Sequence, residues 1–368
     1  MSKSRSASLS VSVLGVFGFL SAGLCRPAWS ADLNLYGVGH LSFDDMDTGV
    51  SSSTYVHSNS SRLGIKGDQD LNGFLSVYIQ YESGVDLTAH GTGDGNGGAT
   101  SSEGQIFTRA RDSFLGLKSS YGSIQFGRVG GLNQWLYDYN LFADQVGDLG
   151  NAFGGDGAPG RLDDSVMYIS PTVSGFRFAL TYVPDEGAHN QHDFVAKADY
   201  GVGGLKVGAA YAKFGSGMVG LPSLEMYAAT ASYTLDLLNV GGAYQHEKNV
   251  GGISAADRDQ ATFGAAVQLG ASLTFKAQYT WSGQVSGAPN STSRQLAAGL
   301  DYNLASTTAI YFAYARTSNS VFTAFSPFDY GHGDQGVPPI LDGKTAVGYS
   351  IGLVYKFDVS ILKPFSKA

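Results

Sequence analysis

Cysteine is nearly absent. The chain of 368 residues has one, Cys25, and it lies inside an N-terminal stretch that reads as a secretory signal. Lys3 and Arg5 give a positive start, Leu9 to Leu24 is largely apolar, and Ala28-Trp29-Ser30 supplies small residues for cleavage before Ala31. Residues 1–30 are therefore set aside from the fold, and the mature chain is expected to have no disulfide, no thiol chemistry and no cysteine-ligated zinc. Acylation of Cys25 as a lipoprotein is the competing reading, against which Leu24 is a poor residue before a modified cysteine. Charge is also scarce: 15% of residues are charged, against roughly 25% in soluble domains. Loss of Lys3, Arg5 and Arg26 with the signal moves the formal net charge from −8 to −11, which argues against a nucleic-acid partner. Long apolar runs are missing as well. No window after the signal offers 18 consecutive apolar residues, so no transmembrane helix is expected. Membrane barrels escape that test, because each of their strands shows only alternating hydrophobicity over about ten residues.

What the chain has in excess is glycine, at 51 residues about twice the usual frequency, together with 21 Tyr and 21 Phe. That mixture suits many short strands joined by tight turns. Period-two alternation begins at Asp32, where Leu33, Leu35, Leu41 and Phe43 share one face and Asn34, Tyr36, His40, Ser42 and Asp44 the other. A glycine-punctuated loop is expected next, then Ser61 to Gly67, with Leu63 and Ile65 opposed to Arg62 and Lys66. Leu75, Val77, Ile79 and Tyr81 alternate with Ser76, Tyr78, Gln80 and Glu82. Further strands are expected on either side of the Ser119 to Gly122 turn and near 162–170, 176–184, 193–200, 205–213, 225–235, 239–246, 259–269, 272–281, 294–302, 307–317 and 345–357. The last alternates Val347, Tyr349, Ile351, Leu353, Tyr355 and Phe357 with Gly348, Ser350, Gly352, Val354 and Lys356, a pattern suited to closing a barrel.

The count is about sixteen, with short and long connections taking turns, which is the plan of an antiparallel transmembrane β-barrel. Aromatics near strand ends fit an interfacial girdle. A soluble β-sandwich or lectin-like protein is the alternative, and its loops would be more even in length.

One stretch breaks the pattern. Gly130 to Gly160 has no strand alternation and no lysine or arginine; its charges are Asp138, Asp144, Asp148 and Asp156, and Arg128 and Arg161 bound it. A structureless insertion of about thirty residues in a compact fold is usually functional or disordered.

Four segments in order, Ser61 to Gly67 (SRLGIKG), Arg111 to Lys118 (RDSFLGLK), Gly122 to Arg128 (GSIQFGR) and Tyr349 to Phe357 (YSIGLVYKF), resemble the Gram-negative general diffusion porins. The resemblance spans nearly the whole mature chain. It implies an all-β, 16-stranded barrel in the outer membrane, with a third extracellular loop folded inward to narrow a water-filled channel for ions and small hydrophilic solutes. It also implies a homotrimer set in outer-membrane lipid and lipopolysaccharide, and recognition of the closing strand by barrel-assembly machinery. Asn151 to Asp156 (NAFGGD) is similar to the family's Pro-Glu-Phe-Gly-Gly-Asp loop tip, with Asn151 in place of proline and Ala152 in place of glutamate. The loop side of the constriction is accordingly expected at Asp138, Asp144, Asp148, Phe153, Gly154, Gly155 and Asp156, and the wall at Arg62, Arg109, Arg111 and Arg161. Family members usually end on the phenylalanine of the closing strand. Here residues 358–368 follow Phe357, so the barrel is expected over 31–357 with a short C-terminal extension.

Strand phase supports the wall assignment on its own. Arg62 lies opposite Leu63 and Ile65, and Arg109 and Arg111 lie opposite Phe114; an arginine on the lipid face costs about 2–4 kcal/mol at the midplane. No cofactor, metal or catalytic residue is expected. His189 and His192 lack the helix and glutamate of a zinc-protease motif. The His90 to Gly97 stretch has Asp94 and Asn96 but no regular series of calcium ligands, and no serine is spaced to couple with a histidine. A channel selective for sugars or organic anions is the nearest functional rival, with Trp135, Tyr137 and Tyr139 as an aromatic track.

Overall fold

A computed structural model describes residues 31–88, 110–131, 139–153, 159–185, 187, 192–216, 218, 220–333 and 336–362. The signal, expected over 1–30, lies outside them. Among the described residues, seventeen strand segments hydrogen-bond into one antiparallel sheet. They are β1 (Ala31–Asp47), β2 (Ser52–Ser58), β3 (Arg62–Asp70), β4 (Ser76–Gly84), β5 (Ala110–Ser119), β6 (Gly122–Gly130), β7 (Arg161–Ile169), β8 (Phe176–Val183), β9 (Asp193–Val202) and β10 (Leu205–Phe214). The rest are β11 (Leu224–Leu235), β12 (Leu238–Lys248), β13 (Arg258–Gln268), β14 (Leu273–Ser282), β15 (Ser293–Ala305), β16 (Thr308–Asn319) and β17 (Thr345–Leu362). From β3 on, each strand pairs with its sequence neighbour, and β17 returns to pair with β1 from Asp47↔Val347 to Leu33↔Leu362. The sheet therefore closes.

The β2 and β3 segments are two halves of one stave. Residues 41–47 of β1 pair with β2, while residues 31–38 pair with β3. The break is a buried kink at Asn59-Ser60-Ser61, where Ser60 has a φ of 46°. Ser61 Oγ stitches the kink to β1, accepting from His40 N and donating to His40 O, both at 3.0 Å. Counted by staves the barrel has sixteen. β2 falls where a loop was expected, because SSTYVHS carries no apolar alternation and its pairing with β1 supplies the order. At the other end, β17 continues past Phe357 to Leu362, so Asp358 to Leu362 extend the wall.

Burial is the reverse of a soluble protein's. Phe263 is 63% exposed while its neighbour in the opposite phase on the same strand, Gln260, is fully buried. Ile351, Tyr349 and Leu353 are exposed on β17, and Ser350 is buried between them. A belt of outward apolar side chains is what hydrocarbon solvates, and the polar phase is left for the interior. The turn at Gly203 and Gly204 and the turn at Asp236 and Leu237 show how tight the connections at one end are, whereas the opposite end carries the described parts of the long 131–160 and 320–344 connections.

Phe263 lies midway along β13 and tests the lipid assignment. Phe263→Arg is expected to lower stability by about 2–4 kcal/mol in reversible denaturant unfolding from lipid, the cost of arginine at the bilayer midplane; a loss under ~1 kcal/mol would move this face to the interface.

Candidate pore constriction

The loop between β6 and β7 re-enters the barrel. Its described part, residues 139–153, ends in a short helical turn, α1 (Gly150–Phe153). The polar phase of β13 to β15 holds it like a comb. Gln260 Nε2 donates to Ala152 O at 2.6 Å, Gln278 Oε1 accepts from Leu141 N at 3.1 Å, and Gln295 Nε2 donates to Gly147 O at 3.0 Å. Lys276 Nζ donates to Gln145 Oε1 and pairs with Asp301, each at 2.9 Å, and stands 4.6 Å over the Phe142 ring. Close approach depends on small residues. Gly147 has a φ of 86°, and a Cβ there would sit 2.5 Å from Ala297 Cβ. Phe153, Leu149 and Ala152 pack with Val129, Leu162, Val195 and Met226, while Phe142 and Val146 pack with Ala297, Ala313 and Ala315. The loop thus carries its own apolar core against the inner wall.

The two departures from the family's loop tip have visible surroundings. Asn151 Oδ1 accepts from Asp329 N at 3.0 Å and Tyr330 N at 2.7 Å, tying the re-entrant loop to the 320–344 loop. A proline could not make those bonds. Ala152 is buried in the apolar cluster.

Of the expected wall residues, Arg62, Arg111 and Arg161 come together on β3, β5 and β7 around a cleft of about 320 Å³ that Glu82, Asp112, Asn140, Asp144, Asp148 and Tyr330 also line. Arg111 Nε donates to Glu82 Oε1 at 2.6 Å, and Arg161 Nε to Asp112 Oδ1 at 2.7 Å. Arg62 Nη1 donates to Ser60 O at 2.9 Å and lies 3.5 Å from Asp144 Oδ2. Glu82 and Asp112 were not among the expected residues. Their signal was weak: Glu82 lies in the polar phase of its strand, and Asp112 is adjacent to Arg111 in sequence.

Arg111 reaches the interior for a different reason from the one its phase implied. Phe114 is itself an inward residue, facing Tyr78 edge-on at 5.8 Å beside Gln125, whereas Leu115 and Leu117 are exposed. A bulge between Ala110 and Ser113 shifts the register against β4 and reverses the phase, so Arg111 meets Glu82 while Asp112 meets Arg161 in the same cleft. Bulges re-aim side chains in this way. A second shift, between Gly127 and Val129 on the neighbouring strand, flanks the same cleft.

The expected loop residues divide. Asp144 faces Arg62. Asp148 is 2% exposed and ties the loop to itself: Oδ1 accepts from Asn140 Nδ2 and Gly150 N, both at 2.7 Å, and Oδ2 from Asp144 N at 2.8 Å. Burial and the neighbouring Asp144 carboxylate push its pKa up to about 7, against the pull of those donors. Phe153 is 1% exposed, inside the apolar cluster. Arg109, Asp138, Gly154, Gly155 and Asp156 lie outside the described residues, as do Asp94, Trp135, Tyr137 and His189. Tyr139 is described, and its hydroxyl donates to Gly264 O at 2.6 Å, which anchors it to β13.

Comparison with known proteins agrees with this architecture. Over 162 residues the chain is 30% identical to the chitoporin of Vibrio furnissii, covering 42% of this chain and 41% of that protein. Over 207 residues it is 27% identical to the major outer membrane protein P.IB of Neisseria meningitidis, covering 54% and 57%. The chain thus spans about half the length of these curated relatives. The anion-selective porin from Comamonas acidovorans superposes with a TM-score of 0.75 at 20% identity, over 89% of this chain and all of that one. Residues 18–321 match the family described as Gram-negative porin, and the chain belongs to that family of outer-membrane β-barrels.

Proposed function

We propose that the chain forms a water-filled channel through which ions and small hydrophilic solutes diffuse passively, with its narrow point beside the pair formed by Asp144 on the re-entrant loop and Arg62 on the wall. The observation that carries this reading is the meeting of two clefts. One, of about 320 Å³, opens toward Arg111 and Arg161, and the other, of about 380 Å³, toward Asp301 and Lys356; Arg62, Ala143 and Asp144 line both. A solute passing from one to the other skirts this ion pair, whose groups stand 3.5 Å apart and leave no gap to pass through, and moves in the field across it. Such a transverse field, in a narrow passage with low-dielectric walls, acts on ions without any bond-making chemistry. No catalytic role is assigned. The reading extends to a homotrimer in outer-membrane lipid and lipopolysaccharide, with the assembly machinery engaging the closing strand.

Arg62 and Asp144 are the appropriate probes because both are partly exposed. Removing Arg111 would strand the buried Glu82 carboxylate, at a cost of about 3–5 kcal/mol, and confuse a transport effect with a folding one. In planar bilayers under a salt gradient, Arg62→Ala is expected to move the reversal potential toward cations and Asp144→Asn toward anions. Unchanged conductance and reversal potential in both would remove the pair from the permeation path. In liposome swelling, rates for sugars and amino acids should fall smoothly with solute size; a sharp preference for one solute would favour a substrate-selective channel instead.

Asp148 makes the loop's attachment sensitive to pH. Its folded-state pKa lies above the ordinary carboxylate value of about 3.9, so the seated loop holds a proton that the released loop gives up, and attachment weakens as pH rises from about 4 to about 7. Hydrogen exchange of residues 139–153 should therefore be slower at pH 5 than at pH 8 after correction for intrinsic rates. Asp148→Asn should abolish that difference; a persisting difference would assign it to another group.

A further inference from the structure

Away from the arginine cleft, Asp44 on β1, His57 on β2 and His332 in the 320–344 loop converge, each almost wholly buried. Each offers a ligand-capable atom, and those atoms lie within 4.8 Å of one another. Strand pairing explains two of them. His57 sits directly across from Ser42, and strand parity sets Ser42, Asp44 and His57 on the inner face. Loop contacts bring the third: Ser60 Oγ donates to Gly331 O at 3.0 Å, and Gly333 N donates to Asn59 Oδ1 at 2.9 Å.

The protons at this cluster can be assigned from what each partner is able to do. Gly333 O can only accept, so His332 Nδ1 donates to it at 2.7 Å. The Ser42 hydroxyl has one proton, which goes to Asp44 Oδ2 at 2.8 Å, while Ser42 accepts from Asn59 Nδ2 at 2.8 Å. His57 Nδ1 donates to the same Oδ2 at 2.8 Å. Asp44 Oδ1 makes no hydrogen bond among the described residues and stands 3.4 Å from His332 Nε2. A neutral His332 with its proton on Nδ1 turns a lone pair toward that oxygen. Ser42 Oγ, 3.3 Å from Nε2, has no second proton to offer. Either a proton on Nε2 or a cation shared by Nε2 and Oδ1 holds these two buried atoms together, and the convergence of a third ligand-capable side chain, His57, favours the cation.

We propose that Asp44, His57 and His332 bind a divalent transition-metal ion of the zinc type. Asp44 Oδ1 and His332 Nε2 are its first two ligands, the third is His57 Nδ1, which on binding gives up its hydrogen bond to Asp44 Oδ2 as the ring proton moves to Nε2, and the fourth is the Ser42 hydroxyl or a water. The 3.4 Å separation matches the edge of a tetrahedron with bonds of about 2.0–2.1 Å, roughly 3.3 Å. Two imidazoles and one carboxylate suit zinc and disfavour magnesium or calcium, which take all-oxygen sets. Gly333 O on the remote nitrogen of His332 is the outer-shell partner that metal-bound imidazoles characteristically have. The ion would clamp the 320–344 loop, which also holds Asn151 of the re-entrant loop, to the wall at the long-loop end of the barrel.

The test is equilibrium dialysis of the detergent-solubilised barrel, stripped with EDTA and returned to micromolar zinc, followed by elemental analysis. About one zinc per chain is expected, retained in His192→Gln and lost in His332→Gln. Heat-dependent electrophoretic migration verifies that each variant is folded, and His57→Gln serves if His332→Gln is not. Cobalt in place of zinc should give visible d–d absorption that the same variants lose. Absence of stoichiometric zinc from the unmodified barrel, or unchanged zinc in folded His332→Gln or His57→Gln, would overturn the proposal and leave a protonated His332 paired with Asp44.

Discussion

The pairing of β1 with β17 is the constraint on which the rest of the structure depends. In hydrocarbon an unpaired backbone N–H or C=O costs several kcal/mol, so a sheet that spans a membrane must close. The register here is continuous over nearly all of both strands, from Asp47↔Val347 down to Leu33↔Leu362, with one irregularity near its end. Closure fixes which phase of every strand faces lipid. It thereby hands the other phase, rich in Gln, Thr and Ser, to an enclosed interior where those groups need partners.

That need explains why the re-entrant loop is seated as it is. A bare lumen face of Gln260, Gln278 and Gln295 would be satisfied by water alone; the loop replaces part of that water with backbone groups at 2.6–3.1 Å. The loop in turn must present a polar backbone to the comb and an apolar core elsewhere, and the two clusters around Phe153 and Phe142 supply the latter. Asp148 closes the loop's own hydrogen bonds. An acid read from sequence as a constriction charge therefore acts mainly as a fold-forming acceptor, and its raised pKa follows from that burial.

Strand existence was legible because alternation in this chain reports lipid against lumen directly, as in β14 and β17. β2 was not legible, since Ser52 to Ser58 has no apolar face and owes its order to β1. The site was half legible. Arg62 followed from phase and motif, whereas Arg111 arrived at the expected place through a bulge that period-two reasoning cannot see. Asp112 was hidden for the same reason: a carboxylate next to an arginine in sequence normally faces the other way, and only the bulge turns Asp112 and Arg111 to one side. Asp44, His57 and His332 lie too far apart in sequence for any spacing rule to group them.

The partners of the arginines alter what the cleft can do. Three arginines lining one wall would make a strongly positive passage, but Glu82 and Asp112 lie 2.6 and 2.7 Å from Arg111 and Arg161 and cancel most of their far field. Arg62 differs, because its nearest acid, Asp144, stands at 3.5 Å on the loop, and its other bond is to a neutral carbonyl. Arg62 and Asp144 are thus a cation and an anion carried by separate elements. Their separation is set by where the comb of β13 to β15 holds the loop relative to β3. Loop anchoring and this pair are in that way one property, because any group that shifts the seat of residues 139–153 also changes the distance over which Arg62 and Asp144 act.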